Sequence, residues 1–362
     1  MYRVIISLGE GRIETGFNAV NIELKQDDKT HWVDLTALIG APELQELLTQ
    51  WQFIYPSVLN LSEYPRTRSR SSVIFDEDVV TNVSSQDLQS LSYHLNRAIN
   101  DWLASGDFGK VIGRIRTELD RQDRITIAIV SAQQNIWQLP WHYWNIFEHY
   151  PHAIEVFSKP RYQQVRDSQP QRNGRVNIFG LFGRDPRLEL NPEFLNTLPQ
   201  TNLQLLGVGE LDRSQGLIEK VGAKISQLFT TRTIASSERE IRSPSAYEIA
   251  DTFQSAPWDI FIFNGHGDTI ENNAIGLLEG VVYLDNDTPL EINKLSSEIA
   301  SAVERSLQIA ILNCCRGLGL ADRLSDLNLP YIIVMREKIP DRVAQQFLAD
   351  LLTQYRDRKS VV

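Results

Sequence analysis

The segment "WDIFIFNGHG" (residues 258–267) joins an apolar run to a histidine that lies between two glycines. Apolar runs of this length, rich in aromatic and β-branched residues, are typical of strands that are buried on both faces of a parallel sheet. His266 follows the run directly, where such a strand would end. Because open α/β sheets bind their ligands at the carboxyl ends of the strands, His266 is a candidate functional residue.

A second segment, "LQIAILNCCRG" (residues 307–317), has the same design and ends its apolar run at two adjacent cysteines, Cys314 and Cys315. Connections between parallel strands of one sheet are right-handed in nearly all known cases, and this brings both strand ends to one edge. We therefore predict that strands 258–264 and 307–313 are adjacent and parallel. The same geometry predicts that the histidine and Cys315 lie within reach of each other.

Strands and helices alternate along the whole C-terminal half of the chain. Apolar runs predict the strands, and apolar residues at helical spacing predict the helices between them. The predicted strands are residues 176–183, 203–210, 231–236, 258–264, 307–313 and 331–335. The predicted helices are residues 214–229, 245–253, 292–305, 319–327 and 340–355. This alternation predicts an α/β fold with a mostly parallel sheet and helices on both of its faces.

The N-terminal half has a different pattern. Its first residues contain strand-like runs separated by glycine and aspartate, which predicts a small β-containing region of unknown role. Further along, Ser84 and Asp87 fit a capping box at the start of a helix. A polar segment with proline, asparagine and glycine then predicts a linker. The resulting regions are residues 1–83, 84–165 and 175–362, with the linker at residues 166–174.

The composition argues against several classes of protein. A net charge of −10 over 362 residues disfavours a protein that binds nucleic acid by neutralising phosphates. The only two cysteines are adjacent, so they form neither a disulfide framework nor a CxxC metal site, and we expect a reducing, cytoplasmic location. The sequence lacks a run of about 20 apolar residues, so we expect no membrane contact within this segment.

A histidine and a cysteine at neighbouring strand ends predict nucleophilic catalysis. The thiolate is the reactive form of cysteine, and a helix beginning near Leu318 would lower the pKa of Cys315 through its positive end. His266 would take the thiol proton and later give it to the leaving amine. The backbone N–H groups of Gly267 and Cys315 would stabilise the oxyanion. This chemistry needs no cofactor, and we predict none.

Four segments resemble the CHAT family of caspase- and separase-like proteins. They are residues 138–144, 258–267, 307–321 and 331–347. The resemblance implies a CHAT region from about residue 84 onward, with a caspase-like catalytic part in residues 175–362. It also implies that His266 and Cys315 are the dyad of a cysteine endopeptidase, which would cleave partner proteins in bacterial signalling or defence.

The chain departs from the family at one position beside the dyad. Many relatives have serine or alanine where this chain has Cys314. Relatives also continue into a further helix, and some carry a membrane-anchored region downstream. By that resemblance we expect the native chain to continue past Val362, with membrane tethering through the missing region as one open alternative.

Charged residues near the predicted cleft have two interpretations each. Arg316 is either a solvated charge or a group that steers an acidic substrate. Asp341 follows Pro340 and fits the N-cap of the last helix, but it could also face the cleft. Asp268, Glu279 and Glu337 add further acidic groups, and together with Asp341 they suggest a basic side chain at the residue before the cleaved bond. Surface acids are common in a chain of this charge, which is the competing interpretation.

One cluster of tryptophans and one cluster of histidines are each more typical of a structural role than of ligand binding. Three tryptophans within eight residues could form a ligand platform, but aromatic residues more often fill a core. Three nearby histidines have spacings that fit no paired helical ligand motif, and we predict no metal site. The residues are Trp137, Trp141 and Trp144, and His142, His149 and His152.

Two functions other than proteolysis stay open at this level. A catalytically silent CHAT module could act as a signalling scaffold or protein-binding domain while keeping its dyad residues. A nucleotide-binding regulator would use the same kind of sheet, but the chain lacks a GxxxxGK[ST] phosphate loop. The expected partners are therefore a protein or peptide substrate and possible regulatory proteins, without nucleic acid.

Overall fold

The computed structural model of the protein describes its residues in several ranges and divides them into two compact units near residue 165. The described ranges are residues 1–27, 29–58, 84–160, 176–183, 201–206, 244–272, 277–284, 289–314, 317–337, 339–340, 343–344, 346–348 and 350–351. The predicted linker 166–174, helix 214–229 and strand 231–236 lie outside them.

The first unit is built around a mixed sheet with helices. Its strands are β1 (Tyr2–Leu8), β2 (Gly11–Arg12), β3 (Gly16–Gln26), β4 (Lys29–Ile39), β5 (Ile125–Val130) and β6 (Ile154–Ser158). Its helices are α1 (Pro42–Val58), α2 (Ser85–Leu103), α3 (Gly106–Glu118), α4 (Gln134–Gln138), a 3₁₀ turn (Trp141–Tyr143) and α5 (Ile146–His149). The predicted capping box is confirmed, because Ser84 and Asp87 satisfy each other's backbone N–H groups at the start of α2.

Strand β1 joins the N-terminal strands to the later part of this unit. It pairs antiparallel with β3 on one side and parallel with β5 on the other. β5 is buried at five of its six positions, and β1 and β6 pair with its two edges. The sequence-based boundary between residues 83 and 84 therefore falls inside one six-stranded sheet.

The tryptophan-rich segment belongs to the core of the first unit. Trp137, Trp141 and Trp144 are all at most 4% exposed. The Trp141 indole N–H donates to the Ile136 carbonyl at 2.7 Å, and its ring lies 6.2 Å from that of Trp144. The packing interpretation of these residues is therefore confirmed.

The second unit contains the candidate site. Its strands are β7 (Val176–Phe182), β8 (Thr201–Leu206), β9 (Ile260–Asn264), β10 (His266–Asn272), β11 (Leu277–Tyr283), β12 (Pro289–Glu291), β13 (Ile309–Asn313) and β14 (Tyr331–Val334). Its helices are α6 (Ala246–Ser255), a 3₁₀ turn (Ile292–Leu295), α7 (Ser296–Arg305) and α8 (Leu318–Asp326).

Five of these strands form a wholly parallel sheet in the order β14-β13-β9-β7-β8. β9 and β13 are direct neighbours, with Ile260 opposite Ile309 and Asn264 opposite Asn313. The prediction that strands 258–264 and 307–313 are adjacent and parallel is confirmed. The parallel sheet and its helices also confirm the α/β class.

Side chains of the parallel sheet alternate between two apolar layers. Phe261 and Phe263 of β9 pack in one layer with residues of α6, α7 and α8. Ile260 and Ile262 point to the other layer, which includes Leu348 of a helical stretch near the C-terminal end of the described chain. This period of two explains why the strands are apolar throughout, because both faces are covered.

A small antiparallel sheet follows β9 and was not predicted in full. β10 pairs with β11, and β11 pairs with β12. β11 is rich in apolar residues, whereas β10 is the polar segment that begins at the histidine. Across the ranges that the structure describes, every helix is too short or too polar to cross a lipid bilayer.

Candidate active site

The carboxyl ends of β9 and β13 place two chemically interesting segments side by side. β9 ends at Asn264 and β13 ends at Asn313, and these two residues are register partners. His266 is the second residue after Asn264, and Cys315 is the second residue after Asn313. His266 is half-buried and begins β10, opposite Tyr283. Along the sequence, the histidine and the second cysteine therefore follow two paired strand ends by the same number of residues.

A hydrogen bond between two side chains ties these strand ends together. The Asn313 Nδ2 donates to the Asn264 Oδ1 at 2.7 Å, and both side chains are buried. The Gly265 N–H donates to the Asn313 carbonyl at 3.3 Å, and the Gly183 N–H donates to the Asn264 carbonyl at 2.9 Å. Sequence reasoning missed this pair, although an asparagine ends each of the two apolar runs at the same place.

Cys314 belongs to the core. It is 4% exposed and packs in the same apolar layer as Leu312 and Leu320. Ala310, Leu312 and Cys314 alternate along the end of β13, so the strand period directs all three to one face. Cys314 therefore points into the core and away from solvent.

The glycines beside His266 are required by close packing. A Cβ on Gly265 would lie 3.1 Å from the backbone of Gly183, at the end of β7. A Cβ on Gly267 would lie 2.7 Å from the Cys314 Sγ. Sequence reasoning attributed Gly267 to the approach of a substrate, whereas the structure shows that the buried Gly267 closely approaches Cys314. The oxyanion role of the Gly267 N–H stays a prediction.

Gly317 precedes α8 and is anchored to the chain after β14. Cys315 and Arg316 lie outside the described residues. The Gly317 N–H donates to the Met335 carbonyl at 2.9 Å, and a Cβ on this glycine would lie 3.0 Å from the Val334 Cβ. Gly317, the residue before α8, is therefore packed against the end of β14. α8 begins at Leu318, as the sequence predicts.

The acidic candidates are described to different extents. Asp268 lies in β10 opposite Val281, and Glu279 lies in β11 opposite Ile270, but their side chains are outside the described set. Glu337 is half-buried and follows β14. Asp341 lies outside the described residues, so neither its capping interpretation nor its cleft interpretation is tested.

The clustered histidines His142, His149 and His152 are exposed. His142 stacks near Tyr143 with ring centroids 4.4 Å apart, and His149 meets Tyr150 edge-on at 4.7 Å. In the parts of the chain that the structure describes, histidine, cysteine, aspartate and glutamate form no group of three that could hold a metal ion.

No protein-family model matches this sequence, and no curated protein is similar to it. Support for a function therefore comes from the geometry of the strand ends.

Proposed function

We propose that the protein is a caspase-like cysteine endopeptidase of the CHAT type, with Cys315 as nucleophile and His266 as general base. The observation that carries this proposal is the direct pairing of β9 with β13, in which Asn264 lies opposite Asn313. Each candidate dyad residue is the second residue after its strand. Parallel α/β sheets form their catalytic sites at this position, which supports the assignment.

The proposed reaction is amide hydrolysis through a thioester. The His266 imidazole removes the proton from the Cys315 thiol, and the thiolate attacks the carbonyl carbon of the substrate peptide. The N–H groups of Gly267 and Cys315 hold the negatively charged oxygen. As the C–N bond breaks, His266 returns the proton to the leaving amine. Water, deprotonated by the same imidazole, then hydrolyses the thioester, and the thiol is restored.

Two structural features favour Cys315 over its neighbour as the nucleophile. Cys314 is buried in the apolar core, where a substrate cannot reach its thiol. α8 begins three residues after Cys315, and the positive end of a helix stabilises a nearby thiolate. The mechanism uses no cofactor or metal.

The substrate is proposed to be a partner protein with a basic residue before the cleaved bond. Asp268, Glu337 and Asp341 follow the ends of β9 and β14 in the chain and would supply negative charge to the cleft. Arg316, beside the nucleophile, would pair with an acidic group of the substrate or of the protein. A reactive thiol is compatible with a reducing compartment, and we propose a cytoplasmic location.

Cleavage profiling with a peptide library tests this function. The wild-type chain should cleave peptides at basic residues, and Cys315→Ala should abolish cleavage. Cys314→Ala is the matched control, because it removes a sulfur one residue away and should leave cleavage intact. Full cleavage by Cys315→Ala would assign the activity to another nucleophile. An absence of cleavage by the wild type, together with an unreactive Cys315, would favour the silent scaffold instead.

A further inference from the structure

The paired residues of β9 and β13 change from apolar to polar at the candidate site. Three register pairs lie on one face of these strands: Ile260–Ile309, Ile262–Ile311 and Asn264–Asn313. The first two are apolar and pack in one layer with Phe182 and Leu348. Only the last of the three pairs, directly before the segments with His266 and Cys315, is polar.

This polar pair stabilises the fold less than an apolar pair at the same place would. The Asn313 Oδ1 is buried and has no hydrogen-bond partner among the described residues. A buried acceptor without a partner costs free energy, whereas an apolar pair of similar size would simply extend the packing of the isoleucines. A buried acceptor of this kind calls for an explanation other than packing.

The amide bridge lies at the point where the two segments diverge. Beyond Asn264, the chain enters β10 and pairs with β11. Beyond Asn313, Cys314 enters the apolar core. The backbone bond that continues past the pair, from the Gly265 N–H to the Asn313 carbonyl, is 3.3 Å long and therefore weaker than the 2.7 Å amide bond.

We propose that the Asn264–Asn313 amide bridge is a positioning device that locks together the carboxyl ends of β9 and β13, from which the segments with His266 and Cys315 continue. This inference rests on the function proposed above. Both asparagine side chains are buried, and we assign them as positioning residues rather than catalytic residues. Because a displacement of about 1 Å in a catalytic group can cost on the order of a hundredfold in rate, one short buried bond at this point controls the reactivity of Cys315.

The polarity of the bond gives a matched pair of test variants. Asn264 accepts the hydrogen bond and Asn313 donates it. In Asn264→Asp, an oxygen of the carboxyl group still accepts the hydrogen bond from Asn313, whether or not the group is ionised. In Asn313→Asp, the carboxyl group donates only while it is protonated. Both variants introduce the same charge at nearly the same place, so they differ chiefly in whether the bridge survives ionisation.

The rate of Cys315 alkylation by iodoacetamide, resolved by mass spectrometry over a range of pH, is the readout. We expect Asn264→Asp to keep nearly the wild-type profile. We expect Asn313→Asp to match it at acidic pH and to fall about tenfold or more below it once the introduced carboxyl ionises. Equal loss in both variants would show an effect of charge rather than of the bridge, and unchanged profiles in both would overturn the inference.

A double variant protects the test against misfolding. Asn264→Leu with Asn313→Leu replaces the bridge by an apolar pair, and it should unfold at a urea concentration equal to or above that of the wild type. Its Cys315 should nevertheless react about tenfold more slowly or worse. A stable double variant with full Cys315 reactivity would make the bridge purely structural and would contradict the proposal.

The same assay separates this inference from the proposed function. If His266→Ala slows Cys315 alkylation while the bridge variants do not, the dyad stands and the positioning inference fails. If His266→Ala has no effect, and Cys315→Ala does not reduce cleavage, the proposed function itself fails.

Discussion

Gly267 and Cys314 make one of the tightest contacts beside the candidate site. A Cβ added to Gly267 would lie 2.7 Å from the Cys314 Sγ and 3.1 Å from the Cys314 Cβ, so the space for a side chain is already occupied. Cys314 itself is held by the core and by the strand end, so it has little freedom to move away. Two residues on either side of the proposed chemistry are therefore coupled by packing.

Gly267→Ala should destabilise the second unit by about 1–3 kcal/mol, because the added methyl overpacks a filled site. The loss should be smaller in a Cys314→Ala background, where the nearest atom is gone. Urea unfolding of the four chains measures this coupling. Gly113→Ala is the control: nothing lies within 4 Å of a Cβ there, and replacing a helical glycine should stabilise α3 by about 0.5–1 kcal/mol. Equal losses from Gly267→Ala in both backgrounds would refute the contact.

Among the elements, α2 begins with a capping box that the sequence pattern predicts. Its start was predictable from Ser84 and Asp87, since a capping box requires only residues three positions apart. The hydrogen bonds from the backbone and side chain of Ser84 lower the pKa of Asp87 below its ordinary value of 3.8. Asp87 therefore loses its proton more readily in the folded protein than in the unfolded chain.

Asp87→Asn should lower the unfolding temperature of the first unit at neutral pH. A pKa that is lower in the folded state stabilises the fold above the unfolded pKa, and this stabilisation is lost as the pH falls through the folded value. The difference between wild type and variant should thus be largest near neutrality and disappear in strong acid. Thermal unfolding as a function of pH measures it. A difference that is constant with pH would exclude the carboxylate as its source.

Other elements were beyond the reach of local patterns. Segment 266–272 is polar, and it becomes β10 only because β11 pairs with it. The asparagines at 264 and 313 each resemble an ordinary strand end, and their hydrogen bond exists only once the register of β9 and β13 is known. The pairing of β9 with β13 was predictable because both runs are apolar on both faces and a helix, α7, leads back to the sheet before β13.

At the scale of the whole molecule, the division of the chain follows a long-range pairing. β1 and β5 are parallel neighbours, although more than a hundred residues separate them. Sequence patterns placed a boundary between residues 83 and 84 because the first strands look self-contained. β5, however, is apolar on both faces, and Ile127 and Ile129 are almost fully buried beside β1. Only the burial requirement of β5 reveals the connection.

A chain of residues 1–164 should therefore fold on its own, whereas residues 84–164 should not. The shorter chain lacks β1 and exposes the apolar edge of β5, so it should show no cooperative urea transition. Circular dichroism during urea unfolding measures both. Residues 165–362 serve as the control for a chain cut at the observed division. Cooperative folding of residues 84–164 would contradict the role assigned to β1.

The thiol reactivity of the full chain tests the proposed dyad most directly, since it needs no knowledge of the substrate. Iodoacetamide labelling as a function of pH, resolved for each cysteine by mass spectrometry, should show Cys315 reacting with an apparent pKa well below the ordinary value of about 8.5. His266→Ala should return that pKa toward about 8.5, and Cys314 should stay unlabelled until the protein unfolds. Labelling of Cys314 first, or an identical Cys315 profile with and without His266, would contradict the dyad.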